Sequence, residues 1–254
     1  MEGSFVVDDS RLYSIGGMNS SSPAMFARRR RILAEARRLI ARGQRDGFSV
    51  RELCDKADVA PNTLYNAFGS KENVVALAIL QYFEDFHASI AFSEDADSFA
   101  GVIEREMTTA IRNLSIPHYV HAVAGLYFSN SGNAPLRQVL IGIAGHSYFP
   151  WLQRLQVHRQ LERGVDIQRV VSNLSAMLWA QVHEWRVGAL TDDTSVTARF
   201  DAVLSYLAGV TRAEARKDVR SLLADLRGPQ KLISASEAHA RQLLETGRVG
   251  ASPR

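Results

Sequence analysis

The chain has one cysteine, Cys54, in 254 residues. A lone thiol cannot close an intrachain disulfide or supply a Cys-x-x-Cys metal set. Cys54 sits in an apolar-periodic stretch, which reads as a buried structural thiol. No apolar run approaches the ~18–20 residues needed to span a bilayer. The opening segment MEGSFVVDDS carries acids where a secretion signal would carry positive charge, and no apolar h-region follows. A cytoplasmic protein with no membrane partner is therefore expected. Phosphate-binding Gly-rich loops, G-x-S-x-G, H-E-x-x-H and paired acids at useful spacing are all missing, so no catalytic residue is assigned and an enzyme is not expected. His118 and His121 are three apart, but no nearby carboxylate or cysteine completes a ligand set, so neither a metal nor a cofactor is expected. Strand-type alternation and hairpin signals are also lacking, which points to an all-α fold.

What is present is an ordinary globular composition, 46% hydrophobic and 22% charged, enough for a sizeable core. The net charge of +3 is unevenly spread. From Arg28 to Glu52 nine arginines face only Glu35, Asp46 and Glu52, a local charge of +6, so the rest of the chain sums to about −3. A basic end on a mildly acidic body is the footprint of a protein that meets phosphate with one end. A solvated basic helix face would give the same count.

Residues 1–24 hold Gly16-Gly17, Ser20 to Ser22 and Pro23 without a periodic apolar face, as in a flexible arm. From Met25, apolar residues at Phe26, Ile32, Leu33, Ala36, Leu39 and Ile40 follow helical spacing, with an end expected between Gly43 and Gly47. Ser49-x-x-Glu52 is a capping box opening a second helix. Asp58-Val59-Ala60 makes a short turn, and Pro61 suits the first turn of a third helix carrying Leu64, Tyr65 and Phe68. Gly69 stops it, and Ser70 caps a long fourth helix from Lys71 to about Ile90. Further helices are expected at about 96–113, 117–130, 135–161, 166–190, 195–209 and 212–226. Pro150 is a point where the 135–161 segment would kink or split. Residues 228–254 are read as a tail, within which 234–245 has an amphipathic pattern.

Two helices of about eight residues joined by a three-residue turn, packed on a longer first helix, describe a helix-turn-helix over 25–70. A DNA major groove admits one α-helix, and that helix must be presented by a small rigid bundle. Its core would be Leu33, Ala36, Leu39, Ile40, Leu53, Cys54, Val59, Leu64 and Phe68. Other three-helix bundles share this spacing without binding DNA, so a helical ligand carrier or protein-interaction module remains an alternative on topology.

Ile32-Leu33, Ala36, Leu39, Ser49-Val50-Arg51-Glu52-Leu53, Ala57, Val59 and above all the run TLYNAFGSKE from Thr63 to Glu72 resemble the N-terminal domain of TetR-family transcriptional regulators. The resemblance covers about 45 residues; beyond them the chain is similar only in being helical and of comparable length. It implies an all-α protein with a helix-turn-helix DNA-binding domain at 25–70 and a helical ligand-binding and dimerisation domain at 71–227. It implies a repressor released from its operator by a small-molecule effector. It also implies a homodimer on a near-palindromic double-stranded site, its recognition helices about one DNA turn apart. Residue by residue, Asn62, Thr63 and Asn66 would reach base edges or phosphates, and Tyr65 and Lys71 would take phosphates. Ser49 and Arg51 would approach the backbone from the second helix, and Arg28 would do so from the arginine run. The chain departs from the family pattern at Ala60, where a Ser commonly caps the recognition helix, at Pro61-Asn62, and at Ala67, where an aromatic or His is frequent. For the body, the resemblance implies an apolar cavity with polar anchors, for which Tyr119, Tyr127, His146, Trp179 and His183 are the candidate lining. The apolar stripes Val170, Leu174, Met177, Leu178, Val182 and Val203, Leu204, Leu207, Val210 would pair with their two-fold mates.

Overall fold

The computed structural model describes residues 23–42, 48–129 and 134–247. The expected flexible arm, the stop between Gly43 and Gly47, and the last residues of the tail lie almost wholly outside these. Among the described residues there are eleven helices: α1 (Pro23–Ala41), α2 (Val50–Ala57), α3 (Pro61–Phe68), α4 (Lys71–Ala88), α5 (Phe99–Leu114), α6 (Pro117–Tyr127), α7 (Ala134–Val157), α8 (Ile167–Arg186), α9 (Asp192–Val210), α10 (Ala213–Leu226) and α11 (Lys231–Gly247). One isolated antiparallel bridge, Leu161 to Thr211, ties the α7–α8 loop to the end of α9. No described helix is long and apolar enough to cross a membrane.

The helix ends follow from local chemistry. Ser49 Oγ accepts the Glu52 N–H at 3.0 Å, and Ser70 Oγ accepts the Asn73 N–H at 3.1 Å, so each hydroxyl satisfies an amide that the first turn leaves open. The reciprocal half of the expected capping box does not form. The Glu52 carboxylate instead takes the Arg42 guanidinium at 3.4 Å. Helix α3 starts without a side-chain cap at Ala60 and relies on Pro61, whose absent N–H leaves nothing unpaired there. It ends at Gly69, where φ is +76°, a conformation costly for any residue with a Cβ. Pro150 neither splits nor ends α7, which runs unbroken to Val157.

Two large clusters of buried side chains organise the molecule. One fills the N-terminal bundle with Ile32, Leu33, Ala36, Leu53, Cys54, Leu64 and Phe68, and continues through Val74, Val75, Ala78 and Ile79 of α4 to Val123 and Tyr127 of α6 and Leu136 and Leu140 of α7. The other fills the body between α5 and α7–α11. The core therefore runs across the boundary expected at residue 70, and α4 belongs to both parts. Residues 231–247, set apart above as tail, form a helix whose Ile233, Ala240, Leu243 and Leu244 are buried in the body core. The amphipathic spacing outweighs the flanking Gly and Pro because the apolar stripe finds α5 to cover it.

At that junction Glu104 of α5 is a buried carboxylate. It accepts from the Ser93 amide at 3.0 Å and hydroxyl at 2.6 Å, from the Glu94 amide at 3.0 Å, and from His239 Nε2 of α11 at 2.8 Å. Burial pushes the carboxyl pKa up, but these hydrogen bonds outweigh it and hold the group below its ordinary value.

Candidate functional site

The first candidate surface is the outer face of α3. Leu64 and Phe68 turn inward and are buried, whereas Pro61, Asn62, Tyr65 and Asn66 are exposed and Thr63 is half-buried. Asn62, Tyr65 and Asn66 are spaced i, i+3, i+4, which puts them on one stripe of the helix. The 46% exposure of Tyr65 excludes a core role for its ring. Ser49 and Arg51 at the start of α2 are exposed, as is Arg28 of α1. Lys71, half-buried at the first position of α4, holds its Nζ 5.4 Å from the centre of the Phe48 ring.

Many of the arginines behind the local charge of +6 serve the bundle itself. Arg29 donates to the Ala67 carbonyl at 2.7 Å and lies over the Phe68 ring, 4.6 Å from its centre, closing the C-terminal end of α3. Arg31 donates from Nε to the Ala57 carbonyl at 3.0 Å and from a terminal nitrogen to Asp58 O at 3.5 Å, closing α2 where Asp58 turns left-handed at φ +51°. Cations are favourable at helix C-termini, where free carbonyls collect. Arg37 pairs with Asp85 of α4 at 3.2 Å, Arg38 pairs with Glu35, and Arg42 pairs with Glu52. Arg29, Arg31 and Arg42 thus tie α1 to the two short helices, and among the described residues Arg28, Arg30 and Arg51 are exposed cations on the bundle surface.

The second candidate site is a cavity in the body with about 90 Å³ of space open to the centre of a water molecule. Its wall is mostly apolar. Ile79, Tyr82 and Phe83 of α4 meet Val120 and Val123 of α6, Leu140, Ile143 and Ala144 of α7, and Leu178, Trp179 and Val182 of α8. Of the five expected lining residues, Tyr119 and Trp179 are on this wall. The other three are not brought to it. Tyr127 is packed between the Trp179 ring at 6.1 Å and the Phe128 ring at 4.8 Å. His146 lies on the side of α7 toward α4 instead, its ring 6.2 Å from that of Phe83 and 6.3 Å from that of His87. His183 sits against Phe128 at 4.8 Å and within 3.2 Å of the Arg186 guanidinium.

The polar end of the cavity was not singled out from sequence. Glu106 of α5 and Arg199 of α9 form an ion pair at 2.9 Å, with side chains only 6% and 10% exposed, and both line the space together with Thr109, Asn113 and Ser147. A signal for them exists. Glu106 falls between Val102, Ile103 and Ala110, and Arg199 between Val196 and Val203, so each charge interrupts the apolar stripe of its own helix. Arg199 Nε, Tyr119 Oη and Thr109 Oγ1 are buried without a hydrogen-bond partner among the described residues. Burial pushes the Tyr119 phenol well above the usual tyrosine range, with Tyr82 adding to the effect and Arg37 opposing it. The Tyr119 ring lies 5.1 Å from that of Tyr82, whose hydroxyl accepts from Arg112 Nε at 3.0 Å. Among the described residues no three His, Cys, Asp or Glu side chains gather as metal ligands.

A three-helix bundle presenting the exposed face of its last helix, flanked by surface cations and carried by a helical body, is the architecture of a helix-turn-helix regulator. Residues 32–78 match the family model described as bacterial regulatory proteins, tetR family. Over those residues the chain carries that family's N-terminal domain, and it is a DNA-binding regulator of transcription. Its fold is similar to that of a tetR-family transcriptional regulator from Streptomyces coelicolor (14% identity, TM-score 0.52, covering 88% of this chain and 100% of that one). Other similar structures are Salmonella enterica GusR (17%, 0.46, 82% and 98%) and a gamma-butyrolactone receptor described as ArpA-like (18%, 0.42, 79% and 96%). No curated protein matches the chain.

Proposed function

We propose that this regulator is a homodimeric repressor that binds a near-palindromic operator through α3 and is released when a small molecule occupies the body cavity. The exposed stripe of α3, with its opposite face locked into the bundle core, carries the DNA reading. Asn62 and Asn66 are the base-reading side chains, since an Asn amide can pair bidentately with adenine. Tyr65, Lys71, Ser49, Arg51 and Arg28 take phosphates and fix the register.

Release rests on α4. Ile79, Tyr82 and Phe83 form part of the cavity wall, while Val74, Val75 and Ala78 of the same helix belong to the core of the DNA-reading bundle. A ligand that prefers one placement of α4 therefore prefers one placement of α3. It can weaken operator binding by its differential affinity for the two arrangements and no more. The test is selection from a random duplex pool with the purified full chain. Enrichment of an inverted repeat with half-sites about one turn apart supports the reading; a pool that stays random contradicts it.

A further inference from the structure

The chemistry of the cavity's polar end restricts what can occupy it. Arg199 is buried and its Nε, which can only donate, meets no acceptor. The Tyr119 hydroxyl on the same wall is also buried without a partner. The charge there is already balanced, because Glu106 holds Arg199 at 2.9 Å. An anionic ligand would set its charge beside the Glu106 carboxylate, and a cationic one would face Arg199. Either would leave an uncompensated charge against a mostly apolar wall, which is costly in a protein interior. A neutral hydrogen-bond acceptor meets the open donors at no such cost.

Size sets the second limit. The space of about 90 Å³ exceeds several times the about 10–15 Å³ that one water requires, yet falls below the about 150 Å³ of an apolar cavity known to take up benzene. Leu140, Ile143, Leu178 and Val182 line the rest and offer only apolar contact. We infer that the effector of this regulator is a compact uncharged molecule. It carries a carbonyl or hydroxyl oxygen that accepts from Arg199 Nε, and a compact apolar part that lies against the rest of the wall. This rests on the cavity being the effector site, as proposed above.

Ligand-observed NMR titration of the full chain with four matched probes tests it: cyclopentanone, cyclopentanol, cyclopentanecarboxylate and cyclopentylammonium. The ketone and the alcohol should bind at least about tenfold tighter than either ion. Arg199→Lys keeps the charge but removes the Nε donor, and should lower ketone affinity about two- to tenfold, the worth of one hydrogen bond. Glu106→Gln keeps the side-chain volume but leaves Arg199 unneutralised, so it should shift the preference toward the carboxylate. If either variant fails to fold, the wild-type series still decides. Tighter binding of either ion by the wild-type chain overturns the proposal, as does a series with no preference or no binding at all. The regulatory reading is judged separately. A neutral probe that binds as expected yet leaves DNA affinity unchanged would contradict release through this cavity while leaving the assigned ligand chemistry standing.

Discussion

Ala60 shows how a single residue can leave stability unused at a functional helix. Its φ of −72° and ψ of 148° are ordinary N-cap geometry, yet it has no oxygen to offer the first turn of α3. Ala60→Ser should raise the unfolding free energy by about 0.5–2 kcal/mol, read as a higher denaturant midpoint with an unchanged slope. The arginines divide by what they touch. Arg31→Ala removes the donors to Ala57 O and Asp58 O and should cost about 1–2 kcal/mol of stability, seen as a lower Tm before any DNA is added. Lys71→Ala should leave Tm nearly unchanged and instead reduce the salt slope of DNA binding by about one. The arginine cluster and the inward residues of the bundle were legible in the sequence because spacing reports burial directly. The division of the cluster between closing helix ends and facing solvent was not, because it depends on where Ala57 O and Ala67 O fall in space. Likewise, an aromatic or histidine count could not separate Tyr119 and Trp179 from His146 and His183, since the direction of each side chain around its helix decides which ones meet.

Helix α4 and helix α11 both connect parts that sequence reading set apart. In α4, His87 lies with its ring 4.1 Å from that of Phe83 and 5.3 Å from that of Phe92, and its Nε2 is buried without a partner. Burial, reinforced by His146 and Arg105, pushes its pKa down to about 3. The unfolded chain takes up a proton below the ordinary value of 6.5, whereas the folded chain does not until about 3. Stability should therefore fall as pH drops through that window. His87→Phe should flatten the decline in urea midpoint between pH 7 and 4; a parallel decline in both proteins would contradict this. In α11, the stripe of Ile233, Ala240, Leu243 and Leu244 is integral to the body. Removing residues 231–254 should cost roughly 5 kcal/mol, the burial of three large aliphatic side chains at about 1.5–3 kcal/mol each, and should leave Glu104 without His239. A truncated chain with an unchanged Tm would show that α11 is a dispensable tail. The amphipathic pattern of this helix was readable in outline, but its partner α5 lies more than a hundred residues away, and no local pattern specifies that pairing.

At the scale of the molecule, one buried core continues from the DNA-reading bundle through α4 into α6 and α7, next to a cavity that α4 itself lines. No flexible linker separates the two parts among the described residues, so a displacement of α4 is passed to the packing of the bundle. The all-helical class, the element order and the three-helix unit followed from periodicity, caps and breakers. The ion pair Glu106–Arg199, which joins α5 to α9 and closes the cavity's polar end, belongs to tertiary structure, although each charge left a mark as an interruption of an apolar stripe. The central claim is that two copies of α3 read one DNA site. The most direct measurement is a fluorescence-anisotropy titration of the selected duplex at several salt concentrations, with the stoichiometry determined at saturation. Two chains per duplex are predicted, with log K falling linearly against log salt at a slope of about −0.9 per phosphate neutralised, and with affinity lost when one half-site is scrambled. Saturation by a single chain, or an affinity indifferent to both salt and half-site, would contradict the account.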